Sequence, residues 1–423
     1  MATNLQSDSG TVYIAGAGMA GLAAAVACVQ RGFKVSLFEA AKHAGGRCRS
    51  FEDSVLERVI DNGNHLILSG NTNIKRYLDS IDAIDNFKPV DPVRFEFVDL
   101  DADISWSLTP SAGRIPWWAL LPGKRIPGTS LGDYLAMGSL KSAGDQAIGD
   151  LIDPTQPIFE RFWQPLCRAV LNTDAQEGSA ASIWTMLSQT LLQGRAASCP
   201  MLAKDGLSAA LVDPAVEYLT KHNAAPQYAT RLRAIECSGE RVHSITLNDQ
   251  EIELGPQDRL IIALPPHELS TLLPDIPVPT ATRAIVNVHF RLEDPPNLPN
   301  HAPFVGLIGS TAQWLFKRGD VFSVTISAAD ELAEKLSEEI AAIVWQEIAK
   351  VIGRDGGTIP PVRVIKEQRA TIAQTPEQNR RRPDSSTNWQ NLYLAGDWTN
   401  TGLPATIEGA VYSGQKAAEL LEK

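Results

Sequence analysis

The chain lacks most of the features that would mark a secreted, metal-binding or nucleic-acid-binding protein. Its five cysteines (Cys28, Cys48, Cys167, Cys199 and Cys237) are odd in number and scattered, with no CxxC pair and no metal-ligand spacing. Reduced thiols in a cytoplasmic protein are therefore expected, rather than a disulfide framework or a structural metal site. Positive charge is in deficit: 38 Lys and Arg against 49 Asp and Glu leave a net charge of −11, which argues against a nucleic-acid partner. There is no repeat and no low-complexity tract. The first ten residues carry no basic residue, so the uncharged run 11–29 lacks the flank of a signal peptide. Three glycines in its first half also suit a membrane-spanning helix badly. Met1 to Gly10 reads as a disordered polar lead.

What the chain does have is ordinary globular material, 44% hydrophobic and 21% charged over 423 residues, enough for two or three domains with cores of their own. The most informative stretch is 11–39, TVYIAGAGMAGLAAAVACVQRGFKVSLFE. Val12–Ala15 suits a buried strand, and an alanine-rich helix follows to about Arg31, stopped by Gly32. Phe33–Phe38 suits a second strand. Between the first strand and the helix lies Gly16-Ala17-Gly18-Met19-Ala20-Gly21, the fingerprint of a dinucleotide-binding βαβ unit. Gly16 permits the tight turn, Gly18 lets backbone approach a pyrophosphate, and Gly21 lets helix and strand pack closely. The helix N-terminus favours the phosphate charge. Glu39, followed by Ala40, stands where a carboxylate can accept hydrogen bonds from an adenosine ribose.

A second glycine loop, Ala44-Gly45-Gly46-Arg47, follows, and Arg47 can reach a phosphate or the far side of a flavin. Ile60-Asp61-Asn62-Gly63-Asn64-His65 marks a turn or strand end, with Asp61 and His65 as candidate catalytic groups. Residues 71–80 read as a helix capped by Asn71 or Thr72. From about 86 to 204 the composition shifts toward apolar and aromatic residues, through Ile115-Pro116-Trp117-Trp118-Ala119-Leu120-Leu121 and Phe162-Trp163 in a helical run interrupted at Pro165. Adjacent tryptophans beside Lys124 and Arg125 suit a membrane interface or the mouth of a greasy channel. Residues 205–279 return to the nucleotide-binding pattern, with a helix to about His222, a strand expected over Tyr228–Ile235 and a buried strand at Leu260–Leu264. Leu232 and Ala263 in this segment are counted as cofactor-binding. Residues 280–382 revisit the second domain with several strands and an amphipathic helix expected over 329–352.

Leu392–Asp397 then reads as a strand ending in Gly396-Asp397, and Pro404 precedes a last helix. Asp397 suits a hydrogen bond to a ribityl chain or a phosphate-bound water. The helix start at Thr406 and Ile407 would direct positive dipole at a flavin edge that becomes negative on reduction.

The motifs GAGMAG…FE, GGR and LAGDWTNTGLPATIEGAVYSG together resemble the flavin-dependent amine oxidase and carotenoid desaturase superfamily. Within it, DNGNHLILSGN (61–71), FWQPLCRAVLNT (162–173) and GDWTNTGLPATIEGA resemble the hydroxysqualene dehydroxylase family of bacterial hopanoid biosynthesis. The resemblance implies an α/β fold: a Rossmann-type FAD-binding domain of the GR2/amine oxidase type over 1–85, 205–279 and 383–423, and a discontinuous α+β substrate domain over 86–204 and 280–382. It implies non-covalent FAD, an isoprenoid lipid substrate, an external reductant of unknown identity, and reductive dehydroxylation of hydroxysqualene to squalene by hydride transfer from reduced flavin. Asp61 and His65 are then the candidate acids for the leaving hydroxyl, and Phe162 and Trp163 the candidate cavity lining. A carotenoid-type desaturase shares fold, cofactor and cavity. An amine oxidase would want a pair of cage aromatics near Gly396–Thr406, which the sequence does not offer. A substrate this insoluble suggests a cytoplasmic protein in peripheral contact with the inner membrane.

Overall fold

The computed structural model describes residues 10–422, so the expected polar lead falls, apart from Gly10, outside the described residues. The first strand is Thr11–Ala15, the helix Met19–Gln30 and the second strand Lys34–Phe38. Thr11–Ala15 runs parallel between Lys34–Phe38 and Arg259–Ile262, and Leu392–Leu394 extends the sheet beyond the latter. Both faces of these strands are covered, which is why their inner residues read as near-continuous apolar runs instead of alternating. The helix Ile407–Leu420 packs on Met19–Gln30 at backbone contact. A Cβ on Gly414 would lie 2.2 Å from the Ala20 carbonyl oxygen.

The second body is a seven-stranded sheet. Its strands are Phe95–Asp99, Ile104–Leu108, Thr282–Arg291, Phe304–Ile308, Trp314–Arg318, Val321–Ile326 and Val362–Ile372. One face buries Val286, Val288 and Val324 against Val344 and Ile348 of the helix Ser337–Val351. Alternation along the strands puts Asn287, His289, Ser323 and Thr325 on the other face, beneath the chain segment 61–65. A small sheet pairs Pro200–Ala203 with both Ile67–Leu68 and Phe87–Pro89, tying together segments that lie far apart in sequence.

Several expected boundaries move. The helix expected over 329–352 is two, Asp330–Glu334 and Ser337–Val351, with Lys335 and Leu336 extended between them. Glu338 and Glu339 fall in the first turn of the second helix, where acidic side chains favour a new N-terminus. The strand expected from Tyr228 begins at Leu232 and runs to Ser238, because Ala229 takes a left-handed φ of 51°. Pro165 does not break its helix. The chain makes one wide π-type turn over Phe159–Trp163, and Pro165 then occupies the first turn of Gln164–Leu171, where its missing N–H costs nothing. Asn71 precedes the helix Thr72–Ser80, but its side chain turns back to accept from the Leu68 N–H at 2.7 Å. The caps come instead from Glu408, more than three hundred residues away. Its carboxylate accepts from the Asn73 and Ile74 N–H groups at 3.0 and 2.9 Å.

Candidate active site

The glycine loops and the C-terminal motif converge at the carboxyl ends of the parallel strands. Gly16 has φ 102°, and a Cβ there would lie 2.6 Å from the Ala263 carbonyl oxygen. A Cβ on Gly21 would lie 1.8 Å from the Gly16 carbonyl oxygen. Both positions exclude a side chain for packing reasons. Gly18 differs: no heavy atom lies within 4 Å of where its Cβ would be. Open space above a glycine at a helix start is what the approach of a pyrophosphate requires.

The second loop closes on this one. The Gly45 N–H donates to the Ala17 carbonyl at 2.8 Å, and Gly18 and Gly45 form a parallel bridge. Met19 and Ala20 open the helix, both buried. Glu39 lies at the end of the second strand, and its carboxylate accepts from the Ala17 and Ala41 N–H groups, each at 2.8 Å. This ties the acid to the fingerprint itself, with Ala40 half-buried between them. Arg47 donates to both carboxylate oxygens of Asp397 at 2.9 Å and to the Ala370 carbonyl. Gly396 donates its N–H to Ser413 Oγ at 2.8 Å, and a Cβ there would strike the Trp398 indole. Leu232 is buried in the core cluster with Ala15 and Phe38. Ala263 continues the ladder by donating to the Ala15 carbonyl at 2.8 Å. These residues fit a dinucleotide cofactor by shape and by donor chemistry.

Beside this cradle lies a cavity of about 310 Å³, within the range of small-molecule sites. Its wall includes Phe95, Phe97, Leu108, Leu166, Trp314 and Phe316, together with His65, Phe162, Thr406 and Ile407. Thr406 caps the last helix, its hydroxyl accepting from the Gly409 N–H. That helix start therefore opens on the same space as the aromatic wall.

The expected catalytic and cavity residues divide. His65 lines the cavity, and burial pulls its pKa down to about 4, so its imidazole is neutral at pH 7. Asp61 is not on the cavity wall. It is buried, accepts from Ser50 Oγ at 2.6 Å and the Leu207 N–H at 2.8 Å, and pairs with Arg318. Phe162 lines the cavity, whereas Trp163 is fully buried behind it, its ring centroid 4.9 Å from that of Phe162.

Other residues at the site gave no signal in the sequence. Arg382 is buried and gathers the carbonyls of Asp397, Thr399 and Leu403, which shapes the loop before the last helix. Burial pulls its pKa down to about 10. It sits in an Arg-Arg-Arg run, and nothing local marks it out from its neighbours. Gln374 is likewise buried and joins the Leu171 carbonyl to the Ala405 N–H.

A parallel sheet carrying a glycine fingerprint, a clamped GGR loop and a capped C-terminal helix at one edge of an apolar cavity define a flavin oxidoreductase architecture. The chain belongs to the flavin-containing amine oxidoreductase family, whose sequence profile matches residues 19–421. It is an FAD-dependent oxidoreductase. Along nearly its whole length it is similar to hydroxysqualene dehydroxylases. It is 43% identical to that of Rhodopseudomonas palustris over 98% of both chains, and 42% identical to that of Sinorhizobium fredii over 97% of both. In fold it is similar to the solved structure of cyclohexylamine oxidase from Brevibacterium oxydans, with a TM-score of 0.69 at 15% identity over 98% of this chain and 99% of that one.

Proposed function

We propose that the enzyme acts on a long isoprenoid and reductively dehydroxylates hydroxysqualene to squalene. The observation that carries this reading is the cavity, walled mainly by aromatic and aliphatic side chains and open to the start of the Ile407–Leu420 helix. Near-full-length similarity to hydroxysqualene dehydroxylases supports the choice of substrate. Residues 16–21, 39, 45–47 and 396–397 would hold FAD. Bound FAD supplies hydride transfer.

The remaining roles fall to side chains. The reaction consumes one proton and releases water, in a space walled mainly by apolar side chains. His65, neutral and on that wall, has an N–H to offer a leaving oxygen but no imidazolium charge. Asp61, ion-paired and hydrogen-bonded elsewhere, holds the 61–65 segment in place. Phe162, Phe97 and Trp314 line the same wall, and an aromatic face set against an allylic carbon would stabilise its positive charge.

The same reading puts the protein at the membrane surface. Among the described residues no helix is long and apolar enough to cross a membrane. Ile115, Trp117, Leu120, Leu121 and Leu135 are exposed, Trp117 by 58% and Leu135 by 72%, beside exposed Arg114 and Lys124. Ala119 and Tyr134, under this patch, share one core cluster with the cavity residues Phe97, Leu108 and Phe162.

The test is anaerobic. Purified enzyme is photoreduced, hydroxysqualene is added, and the flavin spectrum is followed with extraction of products. Return of the oxidised spectrum with formation of squalene is expected. Absence of reoxidation, together with bleaching of oxidised enzyme by a polyene precursor, would replace this reading with desaturation.

A further inference from the structure

One orphaned acceptor stands out on the mainly apolar wall. The segment Asp61–His65 crosses the polar face of the seven-stranded sheet. It lies so close that a Cβ on Gly63 would be 3.0 Å from Asn287 Nδ2. Asn287 is 2% exposed, and its Nδ2 donates to the Asn62 carbonyl at 3.1 Å. A carbonyl has no proton to give, so this contact fixes which way the Asn287 amide faces. Its Oδ1 must then accept, and it does so from the Thr325 hydroxyl at 2.8 Å. With its proton committed, Thr325 Oγ1 is left as an acceptor, and it receives Asn64 Nδ2 at 3.1 Å.

The chain of donors runs one way, and its end is determined. Asn64 Oδ1 is turned away from Thr325, shielded from water, and without a donor. Both Asn64 and Thr325 belong to the cavity wall, as does His65, the next residue. A buried carbonyl oxygen without a donor costs about 1–3 kcal/mol, a cost that a ligand hydroxyl relieves once a small shift of the half-buried Asn64 side chain opens this oxygen to the cavity. Of the other polar groups of the wall, the Trp314 Nε1–H also lacks a partner, whereas three are engaged. Asn172 bonds Thr371 and the Ala328 N–H, Thr190 bonds the Met186 carbonyl, and Arg168 pairs with Asp174.

We propose that the Asn62–Asn287–Thr325–Asn64 chain is a positioning device for a single ligand hydroxyl, which donates to Asn64 Oδ1. This rests on the reading of the substrate as an isoprenoid alcohol and adds to it the residues that tell alcohol from hydrocarbon. By accepting the hydroxyl's hydrogen bond, Asn64 leaves the oxygen lone pairs free for the proton the reaction consumes. It also holds the carbinol carbon at the polar spot of the wall instead of letting the chain slide. Product, lacking the hydroxyl, loses this contact and is released in preference to substrate. Thr325 touches neither reacting atom; it acts through Asn64.

The test reads binding, not turnover. Oxidised holoenzyme is titrated with hydroxysqualene and with squalene, and the visible flavin difference spectrum gives an affinity for each. Wild type is expected to prefer the alcohol by between about threefold and tenfold, the worth of one neutral hydrogen bond. Thr325→Val, which keeps the shape and removes the hydroxyl, should abolish the preference by weakening the alcohol alone; Thr325→Ser should keep it. Asn64→Leu provides the same loss should Thr325→Val fail to retain flavin. No preference in wild type, a preference that survives in both Thr325→Val and Asn64→Leu, or equal weakening of both ligands would overturn the proposal. If reduced enzyme does not convert hydroxysqualene yet the Thr325-dependent preference holds, the assigned reaction falls and the positioning role stands.

Discussion

Arg47 and Asp397 are 350 residues apart in sequence, yet the guanidinium reaches both oxygens of the carboxylate at 2.9 Å. In the sequence each reads as a separate group facing the cofactor. In the fold they form one unit that joins the GGR loop to the Gly-Asp turn. The carboxylate of Asp397 raises the Arg47 pKa further, so the arginine is charged at every accessible pH. The Ala370 carbonyl holds the same guanidinium from the seven-stranded sheet. The arginine thus binds the two bodies of the protein where the glycine loops meet.

Removing the charge of this carboxylate should loosen the cofactor. In Asp397→Asn the bidentate contact is lost and Arg47 is free to swing from the cradle. Retention of FAD is expected to fall, with Kd raised by roughly tenfold or more, the equivalent of one charge-assisted hydrogen bond. The ratio of flavin to protein absorbance after dialysis measures this. Wild-type retention in the variant would show that Arg47 is held well enough by the Ala370 carbonyl alone.

Two histidines, His289 buried in the sheet and His65 half-buried on the cavity wall, make acid stability a direct readout of the polar face. Burial lowers the pKa of both His65 and His289 to about 4, against 6.5 in an unfolded chain. The folded state therefore favours the neutral rings. Their contribution is complete at and above pH 6.5 and is lost as pH falls toward 4, because the unfolded chain takes up protons there that the native state refuses. His289 is 1% exposed, with Nδ1 2.7 Å from Ser323 Oγ, and alone accounts for a loss on the order of 3 kcal/mol over that window. Tm should drop between pH 6.5 and 4, and His289→Gln should drop less steeply than wild type. Identical slopes would assign the acid sensitivity to other groups.

The exposed apolar patch makes its own forecast. Trp118 packs edge-on against Tyr134 with centroids 5.1 Å apart, so replacing it would disturb the core. Trp117 and Leu121 are exposed by 58% and 55% and can be changed without that cost. The double variant Trp117→Ser, Leu121→Ser should keep its flavin and its Tm while binding to anionic liposomes weakens by about tenfold or more, as expected when two interfacial apolar anchors are lost. Cosedimentation measures it, and undiminished binding would move membrane contact to another face.

Much of the architecture was legible in advance because its determinants are local. Gly16, Gly18 and Gly21 between two apolar runs dictate a strand, a tight turn and a helix whatever the rest of the chain does. The GGR loop and the Gly396-Asp397 strand end are equally self-contained. Local signals also misled where a partner far away decided the outcome. Asn71 has the chemistry of a helix cap, but Glu408 supplies the cap because the last helix lies across that N-terminus. Asp61 has the chemistry of an acid, but Arg318 from the seven-stranded sheet takes it up and turns it from the cavity.

The sequence by itself determined the cofactor-binding βαβ unit, the positions of the glycine loops, and the apolar character of the second body, since these depend on backbone conformation and on hydrophobic pattern within a few residues. Only the tertiary structure decided which polar groups face the cavity. Asn64, Thr325 and Asn287 are ordinary strand and turn residues in the sequence, and they become a directed chain only because the 61–65 segment is laid across the Thr282–Arg291 and Val321–Ile326 strands. Hydrogen-bond direction is a property of the assembled set: each donor is fixed by the acceptor before it, and the first acceptor is a backbone carbonyl brought from elsewhere in the chain.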